Sequence, residues 1–217
     1  MANLSNLNHL RSSWQLACKP YNTAFETGEK YFNEIVEKYS EPHRFYHNTM
    51  HLKDLLLLFE KHKNQLQSPE LVLFTIFYHD IIYNPQQNNN EQASALLAAQ
   101  RLSELGLPDG EVQTVCEIIL GSQHHLKIYG LPADSSLFFD FDLAILGSDW
   151  ERYQNYSQAI RKEYQIYPDE LYFPGRKKVL EKLLSRKQIF QTDTFVEAFE
   201  AQARTNLKQE IWAIGEE

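Results

Sequence analysis

Apolar residues recur along most of the chain at spacings of three and four, which is the period of an amphipathic α-helix. Alternation of apolar and polar positions, which would indicate half-buried strands, is scarce. The pattern therefore predicts an all-α protein built as a helical bundle. The predicted helices cover Phe25–Tyr39, His47–His62, Pro69–Tyr83, Glu91–Leu105, Glu111–Leu120, Asp149–Tyr164, Arg176–Arg186 and Thr194–Ile211.

Glycine and proline mark expected interruptions of these helices. Gly106, Gly121 and Gly147 each follow a periodic apolar stretch, where glycine commonly ends a helix. Pro174 is expected to break any helix around it, because proline lacks the main-chain N–H that a helix interior uses. The segment Asn84–Asn90 is mostly Gln and Asn. It predicts a polar loop, either a solvated connection or a mobile edge of a site.

Length and charge limit the possible functions. The 217 residues suit a single domain. With 21 basic and 29 acidic residues the net charge is −8, and no basic stripe is present, which argues against a nucleic-acid-binding surface. An acidic chain can still bind a phosphorylated substrate, because a metal ion makes its site locally positive.

The two cysteines, Cys18 and Cys116, are far apart in the sequence and form no CxxC pattern. This usage fits a reducing compartment. The N-terminus shows no basic region followed by an apolar core, and no apolar run approaches the roughly 20 residues of a membrane span. We therefore expect a cytoplasmic protein with no membrane partner.

His79 and Asp80 are adjacent at the end of the apolar run Leu71–Tyr78. Burying a charged or strongly polar group without a partner is costly, and a divalent cation would be such a partner. The alternative is a hydrogen-bonded core histidine beside an aspartate that caps a helix.

Further candidate ligands flank this pair in the sequence. His47 and His51 are four residues apart, so on a helix they would share a face. Zinc proteases use this spacing with a Glu after the first His, but here that residue is Asn48. The alternative for the two histidines is an exposed polar helix face.

Two aspartates, Asp140 and Asp142, interrupt the apolar run Phe138–Leu146. A metal ion would offset the cost of burying such carboxylates. Asp142 lies inside the run and is the better ligand candidate, whereas Asp140 could equally cap the N-terminus of a helix.

In this order the residues resemble the HD-domain metal-dependent phosphohydrolase superfamily, whose signature is H…HD…D on a helical bundle. The resemblance covers about residues 10–212 and is closest to a small bacterial branch described as predicted metal-dependent HD phosphohydrolases. It rests on the phrases at residues 44–51, 77–83, 90–95, 140–147, 160–164 and 203–206.

That resemblance implies an HD-domain-like bundle and a divalent metal ion held by His51, His79, Asp80 and Asp142. The metal would be Mn, Fe, Co, Ni, Zn or Mg, since mixed imidazole and carboxylate ligands do not select one of them. The implied reaction is attack of a metal-bound hydroxide on the phosphorus of a phosphomonoester or nucleotide. Asp80 could also bridge two metals.

Other residues would complete the site. The implied catalytic residues are Asp80, His47 and Glu91, although Glu91 could simply favour the first turn of a helix. Four residues could bind the substrate through their positive charge or their position: Arg44, His124, Arg161 and Arg176. The alternative for each arginine is a surface charge or an internal ion pair. The alternative for His124 is a loop residue without function.

The implied organisation is a single HD-type domain over residues 1–217, with a core at about 20–165 and C-terminal helices at 168–213 packed on it. The expected partner is a small phosphorylated molecule such as a nucleotide, and the oligomeric state stays open. Two alternatives to the phosphohydrolase remain: a non-catalytic nucleotide-binding or regulatory module, and an HD-type oxygenase with two irons.

Overall fold

The computed structural model describes residues 4–126 and 130–215, and this part of the chain is helical without a β-strand. The prediction of an all-α helical bundle is confirmed. The α-helices among these residues are α1 (Leu4–Cys18), α2 (Phe25–Lys38), α3 (Thr49–His62), α4 (Pro69–Tyr78), α5 (Asn90–Glu104), α6 (Asp109–Ser122), α7 (Asp134–Leu143), α8 (Trp150–Glu163), α9 (Asp169–Leu184) and α10 (Asp193–Ile214).

The chain divides into two compact units, with the boundary between Phe138 and Phe139. The boundary falls inside α7, so this one helix starts in the first unit and ends in the second. The single-domain organisation inferred from the sequence stays a prediction.

In the first unit, α4 lies at the centre and packs against α1, α3, α5 and α6. Every residue from Leu71 to Tyr78 is buried. A helix that is apolar on all sides requires such a position. Trp14 of α1 packs edge-on against Phe74 and Phe77, with ring centroids 5.6 and 5.4 Å apart. The last residue of this buried helix leads directly into the His-Asp pair.

The second unit is built around a short 3₁₀ helix, Ala144–Gly147, against which α8 and α10 pack. A Cβ at residue 147 would lie 2.6 Å from the Cβ of Phe199, so only glycine allows α10 to approach this closely. The amide of Asn206 donates to the carbonyls of Leu146 and Ser148, both at 2.8 Å, and fixes the end of the 3₁₀ helix.

Several predicted boundaries were wrong. Helix α4 ends at Tyr78 instead of Tyr83, because side chains from other elements bind the main chain that follows it. Helix α6 continues through Gly121 to Ser122. Helix α1 was not predicted, since two serines of weak helix propensity lie between its buried Leu10 and Trp14.

The prediction that Pro174 breaks a helix was wrong. Pro174 is the sixth residue of α9, which continues past it. Only the hydrogen bond to the carbonyl of Glu170 is lost there. Both residues are exposed, so water can bind the carbonyl in place of the missing N–H.

Among the described helices, none combines the length and the hydropathy that crossing a bilayer requires.

Candidate metal centre

The start of α3 places the first two histidines. The side chain of Asn48 accepts a hydrogen bond from the N–H of Met50 at 2.8 Å and caps the helix. His47 therefore precedes the helix, and His51 lies in its first turn, so the spacing argument for a shared helix face was wrong. The two rings are still neighbours, with centroids 5.7 Å apart.

His79 follows the last residue of α4, and a hydrogen bond to the main chain determines which of its ring nitrogens carries the hydrogen. Its Nδ1 lies 2.9 Å from the carbonyl oxygen of Ile76, which can only accept a hydrogen bond. Nδ1 therefore carries the proton, and in the neutral ring the lone pair lies on Nε2. Metal-binding histidines usually have this arrangement, with the second ring nitrogen donating to a carbonyl or carboxylate.

The Nε2 of His79 lies 3.2 Å from the Nε2 of His51. Two ligands that are about 2.0–2.1 Å from one cation, at octahedral to tetrahedral angles, lie roughly 2.8–3.4 Å apart. Both histidines are buried: His51 is 3% exposed and His79 is 1% exposed. The pair therefore has the spacing and the shielding of two ligands on one divalent ion.

Asp142 completes this group. Helix α7 carries Phe138, whose ring packs edge-on against His79 at 5.5 Å, and Asp142 follows one turn later on the same helix. One ligand atom each from His51, His79 and Asp142 lies within 4.8 Å of the others. Such a group of two imidazoles and a carboxylate could hold a metal ion, and its chemistry does not select a particular metal.

Asp80 and His47 lie beside this group. One Asp80 carboxylate oxygen is 3.2 Å from Nε2 of His79 and 3.7 Å from Nε2 of His47. Their side chains are 17% and 19% exposed, so both reach solvent. The structure thus groups three of the four implied ligands and places the fourth, Asp80, next to His79 and His47.

Asp140 is fully buried and binds the main chain in front of α10. Its carboxylate accepts hydrogen bonds from the N–H groups of Gln191 and Thr192 at 2.7 and 2.8 Å and from the Thr192 hydroxyl at 2.6 Å. Burial raises the pKa of Asp140, although these hydrogen bonds partly offset the rise. Asp140 therefore anchors the two residues that precede α10, and it does not cap its own helix, which begins at Asp134.

Arg44 lies next to the site, but its guanidinium donates to the protein. Nη1 donates to the carbonyls of Asp80 at 2.7 Å and His47 at 3.2 Å, and Nη2 donates to that of Ile81 at 2.9 Å. Nε donates to Glu41 at 3.1 Å, and the side chain is 0% exposed. These contacts favour the internal ion pair over the predicted phosphate contact.

The two other arginines proposed for substrate binding also have internal partners. Arg161 donates to Asp169 at 2.6 Å. Arg176 is buried and donates to both oxygens of Glu210, at 2.8 and 3.1 Å. Their contacts favour a structural role in the second unit.

The remaining two candidates lie on α5 and just after α6. Glu91 lies half-buried in the first turn of α5, where its charge favours the helix. His124 is exposed after the end of α6, and its N–H donates to the carbonyl of Gly121 at 3.2 Å.

Sequence reasoning missed residues that hold the main chain after His79. The Tyr39 hydroxyl accepts a hydrogen bond from the N–H of Asp80 at 3.2 Å. The Ser94 hydroxyl, fully buried, binds both the N–H and the carbonyl of Ile82. A serine on the buried face of α5 was the available signal, because a buried hydroxyl needs a partner.

No protein-family model, curated protein or solved structure matches this chain.

Proposed function

We propose that this protein is a metal-dependent phosphohydrolase of the HD type that cleaves a phosphomonoester or a nucleotide. The observation that carries the proposal is the close approach of His51, His79 and Asp142, each offering a ligand atom within 4.8 Å of the others. The fixed tautomer of His79, with Nδ1 donating to Ile76, supports a ligand role for its Nε2.

In this proposal His51, His79 and Asp142 would hold a divalent cation. The cation would lower the pKa of a bound water to near neutral and would polarise a phosphoryl oxygen. Asp80 and His47, whose facing atoms lie 3.7 Å apart, can pass a proton between the site and solvent because both side chains are partly exposed. The overall reaction consumes one water and releases an alcohol or nucleoside and inorganic phosphate.

The test begins with elemental analysis of the purified protein. A screen of phosphomonoesters and nucleotides follows, with the metal found in the protein resupplied. We expect a stoichiometric divalent cation and turnover of at least one ester that a chelator abolishes. His51→Asn should lose both, because it removes a ligand from α3.

A matched control is His62→Asn. His62 is also a buried histidine on α3 and contacts Gln65 at 3.2 Å, but lies three turns from His51. His62→Asn should keep the bound metal and the rate of ester turnover of the unmodified protein. Equal metal content in both variants would contradict the site, and nucleotide binding without turnover would favour the regulatory alternative. Oxygen uptake by iron-loaded protein without ester cleavage would favour the oxygenase.

A further inference from the structure

The main chain that follows His79 is held almost entirely by side chains from elsewhere. All five carbonyls of Asp80–Asn84 accept a side-chain hydrogen bond, at 2.7–3.3 Å. The donors, in order along the segment, are Arg44 to the first two carbonyls, then Ser94, His43 and Asn90. An irregular segment normally has many of these groups in water, so this one is unusually constrained.

Two of the donors lie one turn apart on α5. The Asn90 amide accepts from the N–H of Asn84 at 2.9 Å and donates to its carbonyl at 3.0 Å. Ser94 makes the same pair of contacts to Ile82, at 3.1 and 3.3 Å. Four residues of a helix rise about 6 Å and two residues of extended chain span up to roughly 7 Å, so the two spacings match.

Arg44 holds the other end of the segment. Its guanidinium carbon lies 4.9 Å from the ring centroid of Tyr39 and 5.5 Å from that of Tyr83, so aromatic rings restrict its position. The charge is compensated by Glu41 at 3.1 Å. Because Nη1 reaches the carbonyls of both His47 and Asp80, one group connects the two stretches of chain that carry site residues.

We propose that Arg44, Ser94 and Asn90 are positioning residues that set the direction of the Asp80 carboxylate and of His79 by fixing the main chain of Asp80–Asn84. The inference rests on the proposed metal site. Asp80 lies just beyond a helix end, where a chain without such contacts frays, and its carboxylate direction follows from its main-chain conformation. Loss of these contacts displaces His79 and so lowers metal affinity without removing a ligand.

The experiment is a titration of metal-free protein with Co²⁺, followed by visible absorption, in Arg44→Ala and Ser94→Ala. Supporting contacts of metal ligands typically contribute a factor of about 10–100 in affinity, so the Co²⁺ dissociation constant should rise by about that factor. The cobalt absorption bands should also change shape, which a general loss of stability would not produce. Circular dichroism checks that each variant is folded.

The controls match the two variants in chemistry. Arg204 donates Nε to Glu200 and its other nitrogens to the carbonyls of Leu184, Arg186 and Lys187, so Arg204→Ala removes a similar set of contacts at the end of α9. The buried Ser122 hydroxyl donates to the carbonyl of Ile119 in its own helix at 2.6 Å and has no other hydrogen bond within the described residues. Arg204→Ala and Ser122→Ala should both bind Co²⁺ as the unmodified protein does.

The outcomes separate the two proposals. If the unmodified protein binds no Co²⁺, the proposed function fails, and the positioning role fails with it. If it binds Co²⁺ and Arg44→Ala and Ser94→Ala bind it with the same affinity and spectrum, only the positioning role is overturned. Faster hydrogen exchange at the Ile82 amide in Ser94→Ala would connect a loss of affinity to this segment.

Discussion

At the scale of single residues, the site depends on how each buried polar group is satisfied. His79 is informative because one ring nitrogen binds a carbonyl and the other faces His51. Sequence reasoning identified His51, His79 and Asp142 from the placement of polar residues in apolar runs and from the family resemblance. It could not assign Arg44, because whether a guanidinium binds a ligand or its own main chain depends on contacts far apart in sequence.

Tyr78 gives a residue-scale prediction. It is fully buried, and its hydroxyl finds no hydrogen-bond partner in the parts of the chain that the structure describes. A buried group without a partner costs about 1–3 kcal/mol, so Tyr78→Phe should raise the free energy of unfolding by about 1 kcal/mol. Urea denaturation measures this.

The control is Tyr153→Phe. Tyr153 is also fully buried, but its hydroxyl donates to Glu210. Hydrogen bonds to charged groups contribute about 1.5–3 kcal/mol, so Tyr153→Phe should lower the free energy of unfolding by about that amount. Equal destabilisation of both variants would show that the Tyr78 hydroxyl has a partner.

At the scale of secondary-structure elements, periodicity predicted α2, α3, α5, α8 and α10 to within a few residues. Periodicity failed where contacts with residues distant in the sequence determine where a helix ends. The apolar pattern continues to Tyr83, yet α4 ends five residues earlier, because Arg44 and Ser94 bind the main chain beyond it. No local pattern contains that information.

The start of α4 gives an element-scale prediction. Asp134, the first residue of α7, accepts hydrogen bonds from the N–H groups of Gln67 at 3.0 Å and Ser68 at 2.7 Å, just before α4 begins. It is 3% exposed. Asp134→Ala leaves these N–H groups without their acceptor and should lower the free energy of unfolding by about 1–3 kcal/mol.

Asp109→Ala is the matched control, because Asp109 lies exposed in the first turn of α6. Its loss should change the free energy of unfolding by less than about 0.5 kcal/mol, as is usual at surface positions. Similar unfolding midpoints for both variants in urea would contradict the role of Asp134 in anchoring the start of α4.

At the scale of the whole molecule, charge inside the second unit makes stability depend on pH. Burial alone would raise the pKa of Glu210, but hydrogen bonds and the charge of Arg176, with hydrogen bonds from Tyr153 and Ser157, lower it below its usual value of 4.5. A carboxyl whose pKa is lowered by folding stabilises the fold above its unfolded pKa. That contribution is lost as the pH falls through the folded value.

We therefore expect the unmodified protein to lose more stability than Glu210→Gln between pH 7 and pH 3. At pH 7 the variant should be less stable by about 3–5 kcal/mol, because Arg176 stays buried without its counter-charge. Urea denaturation of both proteins at the two pH values gives the comparison. Parallel pH profiles would show that Glu210 does not titrate with a lowered pKa.

The central claim is that one divalent cation binds His51, His79 and Asp142. The most direct measurement is a crystal structure of the protein grown with Zn²⁺, with an anomalous difference map at the zinc absorption edge. We predict a peak about 2.0–2.2 Å from an imidazole nitrogen of each histidine and from a carboxylate oxygen of Asp142. A map with no peak at these three side chains, at a zinc concentration that saturates other sites, would contradict the account.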